Sequence, residues 1–478
     1  MDFEYVYILE WAVRLFMGPV IVLRRGSPST ALAWLVVVFV LPIFGTIAYF
    51  LVGENRLGRK SSRLHKSVVE QLSRALGKTM SEAHVDTSDL RPSLRLVSSL
   101  AEGFGAKPPV GANDLSLVQE AEDLATQLVN DVDGARDHCH LLYYIFHEDS
   151  VGRRLAEALA RAAARGVRCR LLVDAVGSKL FLRGRLAKEL QAAGVEVLAA
   201  LPVNPVRAVF ERLDLRNHRK VAVIDGRVGY VGSHNISEPL YPKKERFGAW
   251  IDASVRVSGP AVRLLQELFI QDWYASGREV ELRPELFPPL DDPSPGGIRV
   301  QILPSGPDQR DSPIERVILQ AIHVASERVV LTTPYFVPDE PLVDALTAAA
   351  KRGVDVSLIV PKKGDSPVAQ AAGRSRYGDL LEAGLKIYEF RLGLLHAKTI
   401  TADGDFALIG TANLDIRSFL LNFELGLLVY DEEFASQLHF LQEIYMEGSD
   451  PVTFEEWKRR GAFQIFADNV FKLVSPLL

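Results

Sequence analysis

Cysteine is nearly absent: Cys139 and Cys169 are the only two in 478 residues. That scarcity argues against a disulfide framework, and without CxxC spacing neither proposes a metal site, so both are expected to be reduced core residues. An excess of positive charge is missing too. The formal net charge of −5 is opposite to the basic balance of a general nucleic-acid binder. The chain begins without a basic n-region and without a small-residue cleavage site, which argues against a cleaved signal peptide. Apolar material is plentiful. A hydrophobic content of 48% suffices for two substantial cores in addition to membrane segments.

Charge is also missing locally. From Ala31 to Val52 no residue carries a charge, a run long enough to span a bilayer core, with Pro42 and Gly45 predicting a kink within it. The preceding stretch, Phe3 to Leu23, is apolar except for Glu4, Glu10 and Arg14. Glu10 and Arg14 stand four apart, so on a helix they pair and lower the cost of burial. This stretch is either a second span or an interfacial helix, and the reading adopted is a span. Arg24 and Arg25 lie between the two segments, whereas the larger basic group Arg56, Arg59, Lys60, Arg63 and Lys66 follows the second. The larger group is expected to stay in the cytoplasm beside anionic lipid, making this a multi-pass membrane protein whose main body is cytoplasmic.

One pattern occurs twice. His218, Lys220 and Asp225 form His-x-Lys-x-x-x-x-Asp in NHRKVAVIDG, and His396, Lys398 and Asp403 repeat it in LHAKTITADG. Each copy is trailed by G-[ST]-x-N, as Gly232-Ser233-His234-Asn235 and Gly410-Thr411-Ala412-Asn413. Residues two apart on a strand share a face, so each His and Lys are expected to project together. Asp-Gly then predicts a tight turn and an apolar return strand, Val228 to Val231 and Phe406 to Ile409. A single copy reads equally well as a surface His beside a solvated Lys; the duplicated set does not.

Two such hairpins at one site bring two ammonium groups together with the donors of Asn235 and Asn413, and the hydroxyls of Ser233 and Thr411 are assigned to the same phosphate. That set suits a phosphate whose oxygens gain charge in the transition state. Two imidazoles can divide the remaining work, one attacking phosphorus and the other protonating the leaving oxygen before taking a proton from the next nucleophile. This chemistry calls for no metal and no cofactor. The motif aspartates, Asp225 and Asp403, stand at the turns and read as structural braces of the catalytic motif.

These residues resemble the phospholipase D superfamily, whose members carry two such motifs across a pseudo-two-fold interface. The resemblance covers nearly the whole chain and is closest to the bacterial cardiolipin synthases. It rests on Ser29 to Leu35, Val52-Gly53-Glu54-Asn55, Pro304-Ser305-Gly306-Pro307, TPYFVPDE from Thr333 to Glu340, and GTANLDIRSFLLNFE from Gly410 to Glu424. It implies an α/β fold of two homologous phospholipase D-like halves preceded by transmembrane helices. It also implies that Asp252 and Glu424 are the carboxylates that fix the imidazole tautomers, and that His218 is the nucleophile.

An internal repeat supports two halves. Arg165 to Val173 parallels Arg352 to Val360, and Ala193 to Val197 parallels Ala383 to Ile387. Each half reads as strand, helix, strand, helix, strand and then the motif hairpin. The first half carries extra residues within Leu198 to Asn217, beside the predicted site. The expected division is 1–53 for the two hydrophobic segments, 54–110 for a basic helical linker, 111–283 for the first half, 284–297 for a Pro-rich semi-rigid connector, and 298–478 for the second half. The last of these ends in an amphipathic stripe of Phe463, Phe466, Val470, Leu473 and Leu477, for which packing on the body is the default and docking on the bilayer the alternative.

The resemblance implies a phosphatidyltransferase that joins two phosphatidylglycerol molecules into cardiolipin and glycerol through a phosphatidyl-histidine. Three rivals share some of the features. A phospholipase D hydrolase would use water as acceptor, a nuclease would share the motifs, and a lipid-binding scaffold would have lost a His or Lys. The acid balance and apolar N-terminus oppose the nuclease, and the intact motifs oppose the scaffold. The sequence leaves the oligomeric state open.

Overall fold

The computed structural model describes residues 3–23, 28–53, 85–202, 212, 214–240, 247–289, 297–309 and 311–474. The protein is mixed α/β. From residue 110 onward, one sheet of sixteen strands among the described residues runs through both halves of the chain. Its centre is antiparallel: Val110–Val118 pairs with Ile298–Ser305, which pairs with Asn422–Tyr430. Outward in the first half follow Ser254–Ser258, Val228–Gly232, Val221–Ile224 and then the parallel trio His138–Tyr143, Arg168–Asp174 and Glu196–Ala200. The second half mirrors it with Phe406–Gly410, Thr399–Ala402 and the parallel trio Arg328–Thr332, Asp355–Pro361 and Lys386–Phe390.

Local chemistry accounts for these elements. In the inner parallel strands nearly every residue is buried, as in HCHLLY of His138–Tyr143, because helices cover both faces, whereas Glu196–Ala200 and Lys386–Phe390 are only partly buried. The helices Ala121–Gly134 and Ser150–Ala164 place Leu124, Leu128, Leu155 and Leu159 on one face of the first half. Ala261–Ala275 and Glu432–Glu447 contribute Leu265, Phe269, Trp273, Phe434 and Leu438 to one core cluster fed by both halves. The motif hairpins form as expected. Asp225 and Gly226 have φ of 51° and 63°, and Asp403 and Gly404 have 50° and 81°, the left-handed pair that matches the twist of a two-strand turn.

Cys139 and Cys169 are free, buried and opposite one another on neighbouring strands. The Pro-rich connector starts out docked rather than free-standing, with Leu286 buried and the Arg263 guanidinium donating to the Pro288 carbonyl. Its later residues, 290–296, and residues 203–211 and 213 of the stretch before His218 lie outside the described residues. The C-terminal helix Ala462–Val474 packs on Pro367–Arg374, but Phe463, Phe466 and Val470 of the predicted stripe stay exposed. Packing of those three on the body is therefore not what the fold uses.

The N-terminus departs from expectation. The uncharged run is two helices, not one: α2 (Pro28–Val40) and α3 (Pro42–Val52), preceded by α1 (Phe3–Leu23). Pro42 has no N–H for the Val38 carbonyl, which ends α2. The chain then folds back, so that the rings of Trp34 and Tyr49 lie 5.4 Å apart where a continuous helix would hold the residues about 22 Å apart. Gly45 is required at this turn, since a Cβ there would stand 2.7 Å from the Val37 carbonyl oxygen. Among the described residues no helix is long and apolar enough to cross a membrane. The continuous span expected over Ala31 to Val52 is therefore corrected to a folded-back pair, and the span expected over Phe3 to Leu23 is corrected to a helix not long and apolar enough to cross.

Candidate active site

Both His-x-Lys pairs sit just before the regular hairpin strands rather than within them. Ahead of the first, Arg216–Asn217 pairs in parallel with Asn422–Phe423 of the second half, and the His218 N–H donates to the Phe423 carbonyl at 2.9 Å. Ahead of the second, Leu394–Leu395 pairs in parallel with Trp250–Ile251 of the first half, and the His396 N–H donates to the Ile251 carbonyl at 2.7 Å. In each case the next residue of the partner strand is a carboxylate. Register alone thus delivers Glu424 to His218 and Asp252 to His396.

The side chains complete the crossing. Nδ1 of His218 lies 3.0 Å from both Oε1 and Oε2 of Glu424, and Nδ1 of His396 lies 2.6 Å from Oδ1 of Asp252. With Nδ1–H held by a carboxylate, Nε2 is the nitrogen left for chemistry. Aromatic rings fix the other faces: Tyr144 meets the His218 ring edge-on at 4.8 Å, and Trp250 lies 4.5 Å from the His396 ring. Each lysine turns back on its own motif, Lys220 Nζ donating to the His218 carbonyl at 2.7 Å and Lys398 Nζ to the His396 carbonyl at 2.5 Å.

Burial dominates the electrostatics. It pushes both imidazoles down to about 4, the two lysine charges acting in the same direction and the carboxylates against it. The ammonium of Lys220 is pushed down to about 7 by burial and by Lys398, and burial pushes that of Lys398 down to about 8 against the pull of Asp252 and Glu424. Burial alone would raise the carboxylates. The facing imidazoles and lysines outweigh it, so Asp252 and Glu424 are held below the usual carboxylate range. Near pH 7 the site therefore holds neutral imidazoles, anionic carboxylates, a Lys398 that is mostly ammonium and a Lys220 that is about half protonated, and both lysines gain from the arrival of an anion.

The remaining predicted residues divide. Asn235 accepts from the Ile145 N–H through its side-chain oxygen at 3.2 Å, and Asn413 is buried with its backbone N–H on Ser418 Oγ. Ser233 and Thr411 do something other than meet a phosphate. The Ser233 hydroxyl donates to Asp252 at 2.6 Å and the Thr411 hydroxyl to Glu424 at 2.5 Å, so both orient carboxylates. Asp225 and Asp403 stand at the far ends of their hairpins. Asp225 accepts from the N–H groups of Arg136, Asp137 and His138, and Asp403 from those of Ser326, Glu327 and Arg328 and from Arg91. They brace the start of the adjacent parallel strand and hydrogen-bond to neither motif imidazole, so of the three motif residues only His and Lys stand at the site.

Several contributors were not anticipated. Arg219, between His218 and Lys220, donates to the Glu424 and Ser305 carbonyls and forms a buried pair with Asp272 at 2.8 Å, tying the halves together. Asn422 donates to Glu424 Oε1 at 3.1 Å. Alternation offered a signal for Trp250, which shares a face with Asp252, but none for Tyr144.

Comparison with known proteins agrees with this geometry. A family model described as cardiolipin synthase, phospholipase D-like domain, matches residues 128–273 and 318–442, which include both motifs and both carboxylates. The chain belongs to that family. A second model, the phospholipase D-nuclease N-terminal segment, matches residues 17–54. Cardiolipin synthase A of Serratia proteamaculans (strain 568) is 36% identical over 465 residues, covering 96% of this chain and 95% of that protein. The cardiolipin synthase A of Yersinia pseudotuberculosis serotype O:1b is 36% identical over 468 residues with the same coverage. Among solved structures, the phosphatidylserine synthase of Haemophilus influenzae Rd KW20 shares the fold with a TM-score of 0.59 at 16% identity, covering 80% of this chain and all of that one. The chain is thus a phosphatidyltransferase-type enzyme of the phospholipase D superfamily and, within it, of the cardiolipin synthase family.

Proposed function

We propose that the protein transfers a phosphatidyl group from one phosphatidylglycerol to the primary hydroxyl of a second, releasing glycerol. The observation that carries this reading is the crossed pair of imidazole–carboxylate contacts flanked by two buried ammonium groups. His218 Nε2 attacks phosphorus, the P–O bond to the glycerol headgroup breaks, and His396 Nε2–H gives that oxygen its proton. The anionic phosphodiester offsets the charges of Lys220 and Lys398, so His396, backed by Asp252, carries a proton once substrate is in place. In the second step the hydroxyl of the incoming lipid gives its proton to His396 Nε2, its oxygen bonds to phosphorus, and the P–N bond to His218 breaks. Asn235 and Asn413 supply neutral donors to the phosphate, and Asp252 and Glu424 hold each ring with Nε2 inward. The roles of the two imidazoles follow the resemblance.

The catalytic body works at the cytoplasmic face of the bacterial inner membrane, where a second lipid is far more concentrated than any soluble acceptor. Product analysis tests the reading. Purified protein supplied only with phosphatidylglycerol in mixed micelles should form cardiolipin and free glycerol in equal amounts. Phosphatidic acid as the main product at every lipid density would replace the transferase with a hydrolase.

A further inference from the structure

The two short apolar helices bear on how the protein meets the membrane, and the inference rests on the membrane-bound reading above. At 13 and 11 residues, α2 and α3 are about 20 and 17 Å long, whereas the hydrocarbon core is about 30 Å thick. Neither crosses it alone, and their fold-back at Leu41–Pro42 prevents them from crossing it as one. No charged residue occurs from Pro28 to Val52, and Leu32, Val36, Val40, Phe44 and Ile47 point outward. Met17, Ile21, Trp34, Val38 and Tyr49 form the buried seam between the three helices.

The polar groups fit the same picture. Because Pro42 cuts the helix, the last carbonyls of α2 lack their usual donors, a costly state in hydrocarbon. Arg14 of α1 answers this by donating Nε–H to the Phe39 carbonyl at 3.0 Å while its other nitrogen pairs with Glu10 at 3.2 Å. A half-buried ion pair beside an apolar turn makes sense where water cannot solvate the carbonyls of that turn.

We propose that α2 and α3 form a re-entrant hairpin that dips into one leaflet of the bilayer, so that the chain enters at Pro28 and leaves at Val52 on the same face. This arrangement also reconciles the basic residues. In a two-span arrangement Arg24 and Arg25 would fall on the side opposite Arg56, Arg59, Lys60, Arg63 and Lys66. With a re-entrant hairpin all seven flank one face, the cytoplasmic one.

The test uses the full chain carrying Ser27→Cys or Asn55→Cys, against a background in which Cys139 and Cys169 are buried. A membrane-impermeant maleimide is applied to sealed spheroplasts and to inverted vesicles. Both cysteines should be protected in spheroplasts and both labelled in inverted vesicles. Labelling of one from each side overturns the hairpin, and labelling of both from outside overturns the cytoplasmic assignment. Trp34→Cys/Tyr49→Cys provides a second measurement. A short bifunctional thiol reagent should link the two within one chain, whereas absence of that link restores the continuous helix, and a link only between chains would overturn the fold-back in favour of contact with a second copy. Release of the chain by alkaline carbonate would show that the hairpin is not inserted at all. Cardiolipin formation, followed in the same vesicles, is independent of where the labels fall, so failure of the topology and failure of the activity are told apart.

Discussion

Glu424 meets Nδ1 of His218 with both of its oxygens at 3.0 Å, although 206 positions separate the two residues along the chain. His396 is held differently, by a single oxygen of Asp252 at 2.6 Å. Each imidazole therefore depends on the opposite half, and the two are not equivalent.

The first prediction concerns those carboxylates. Glu424→Gln and Asp252→Asn keep the shape but let the ring adopt the wrong tautomer, and each should lower kcat on the order of 10²–10⁴-fold with little change in KM. Steady-state turnover with circular dichroism as a folding control measures this. A loss confined to KM would show that the carboxylates position lipid instead.

His218→Ala and His396→Ala should each remove nearly all turnover while the protein stays folded. They should differ in what remains. With a donor whose leaving group needs no proton, His396→Ala should still accumulate a phosphatidyl-enzyme and His218→Ala should not, which radiolabelled donor and acid quench will show. The opposite pattern would exchange the roles of the two imidazoles.

Anion binding should depend on pH through the lysines. With Lys220 at about 7 and Lys398 at about 8, the free site loses positive charge as pH rises through that window. Sulfate, a dianion throughout, should inhibit at least about tenfold less well at pH 9 than at pH 6.5, since each lost proton weakens binding up to tenfold per unit. An inhibition constant that stays flat would mean that neither ammonium titrates there.

The same lysine should cost stability. The folded-state value of Lys220 lies below its unfolded value, so the unfolded chain holds the proton more tightly between them. The cost is full below about 7 and fades as pH rises toward 10.5. Lys220→Met should therefore raise the Tm at pH 6, raise it less at pH 9, and abolish turnover. A lower Tm at pH 6 would mean that Lys220 neutralises Glu424 by more than its own burial costs.

Asp225→Ala and Asp403→Ala should act on folding rather than chemistry. Each leaves three backbone N–H groups at a strand start without their acceptor, costing about 2 kcal/mol. Denaturant unfolding should show the loss, and kcat per folded molecule should remain within a fewfold of normal.

The reactive groups were legible in the sequence because they are local. His, Lys and Asn of each motif fall within one hairpin and its exit, so spacing alone brings them close. The carboxylates were found as residues but not as a crossed pair, since which ring each meets is set by two-residue parallel bridges between segments more than a hundred positions apart. Ser233 and Thr411 were assigned to the phosphate together with Asn235 and Asn413. Only the three-dimensional approach of Asp252 and Glu424 shows where those protons go. Pro42 and Gly45 were visible as a kink, but a kink and a reversal differ only in whether the two arms touch, and that contact belongs to Trp34 and Tyr49.

The seam where Asn422–Tyr430 lies between Ile298–Ser305 and Phe406–Gly410 also acts as a gauge. Successive residues on a strand advance about 3.4 Å, so a slip of one position would carry Glu424 beyond hydrogen-bonding reach of His218 and turn its side chain to the other face. The spacing of two imidazoles that must share one phosphorus is thus held by backbone pairing rather than by flexible side chains. An insertion or deletion there would silence the enzyme even with every motif residue intact, whereas loops at the sheet's outer ends are free to drift.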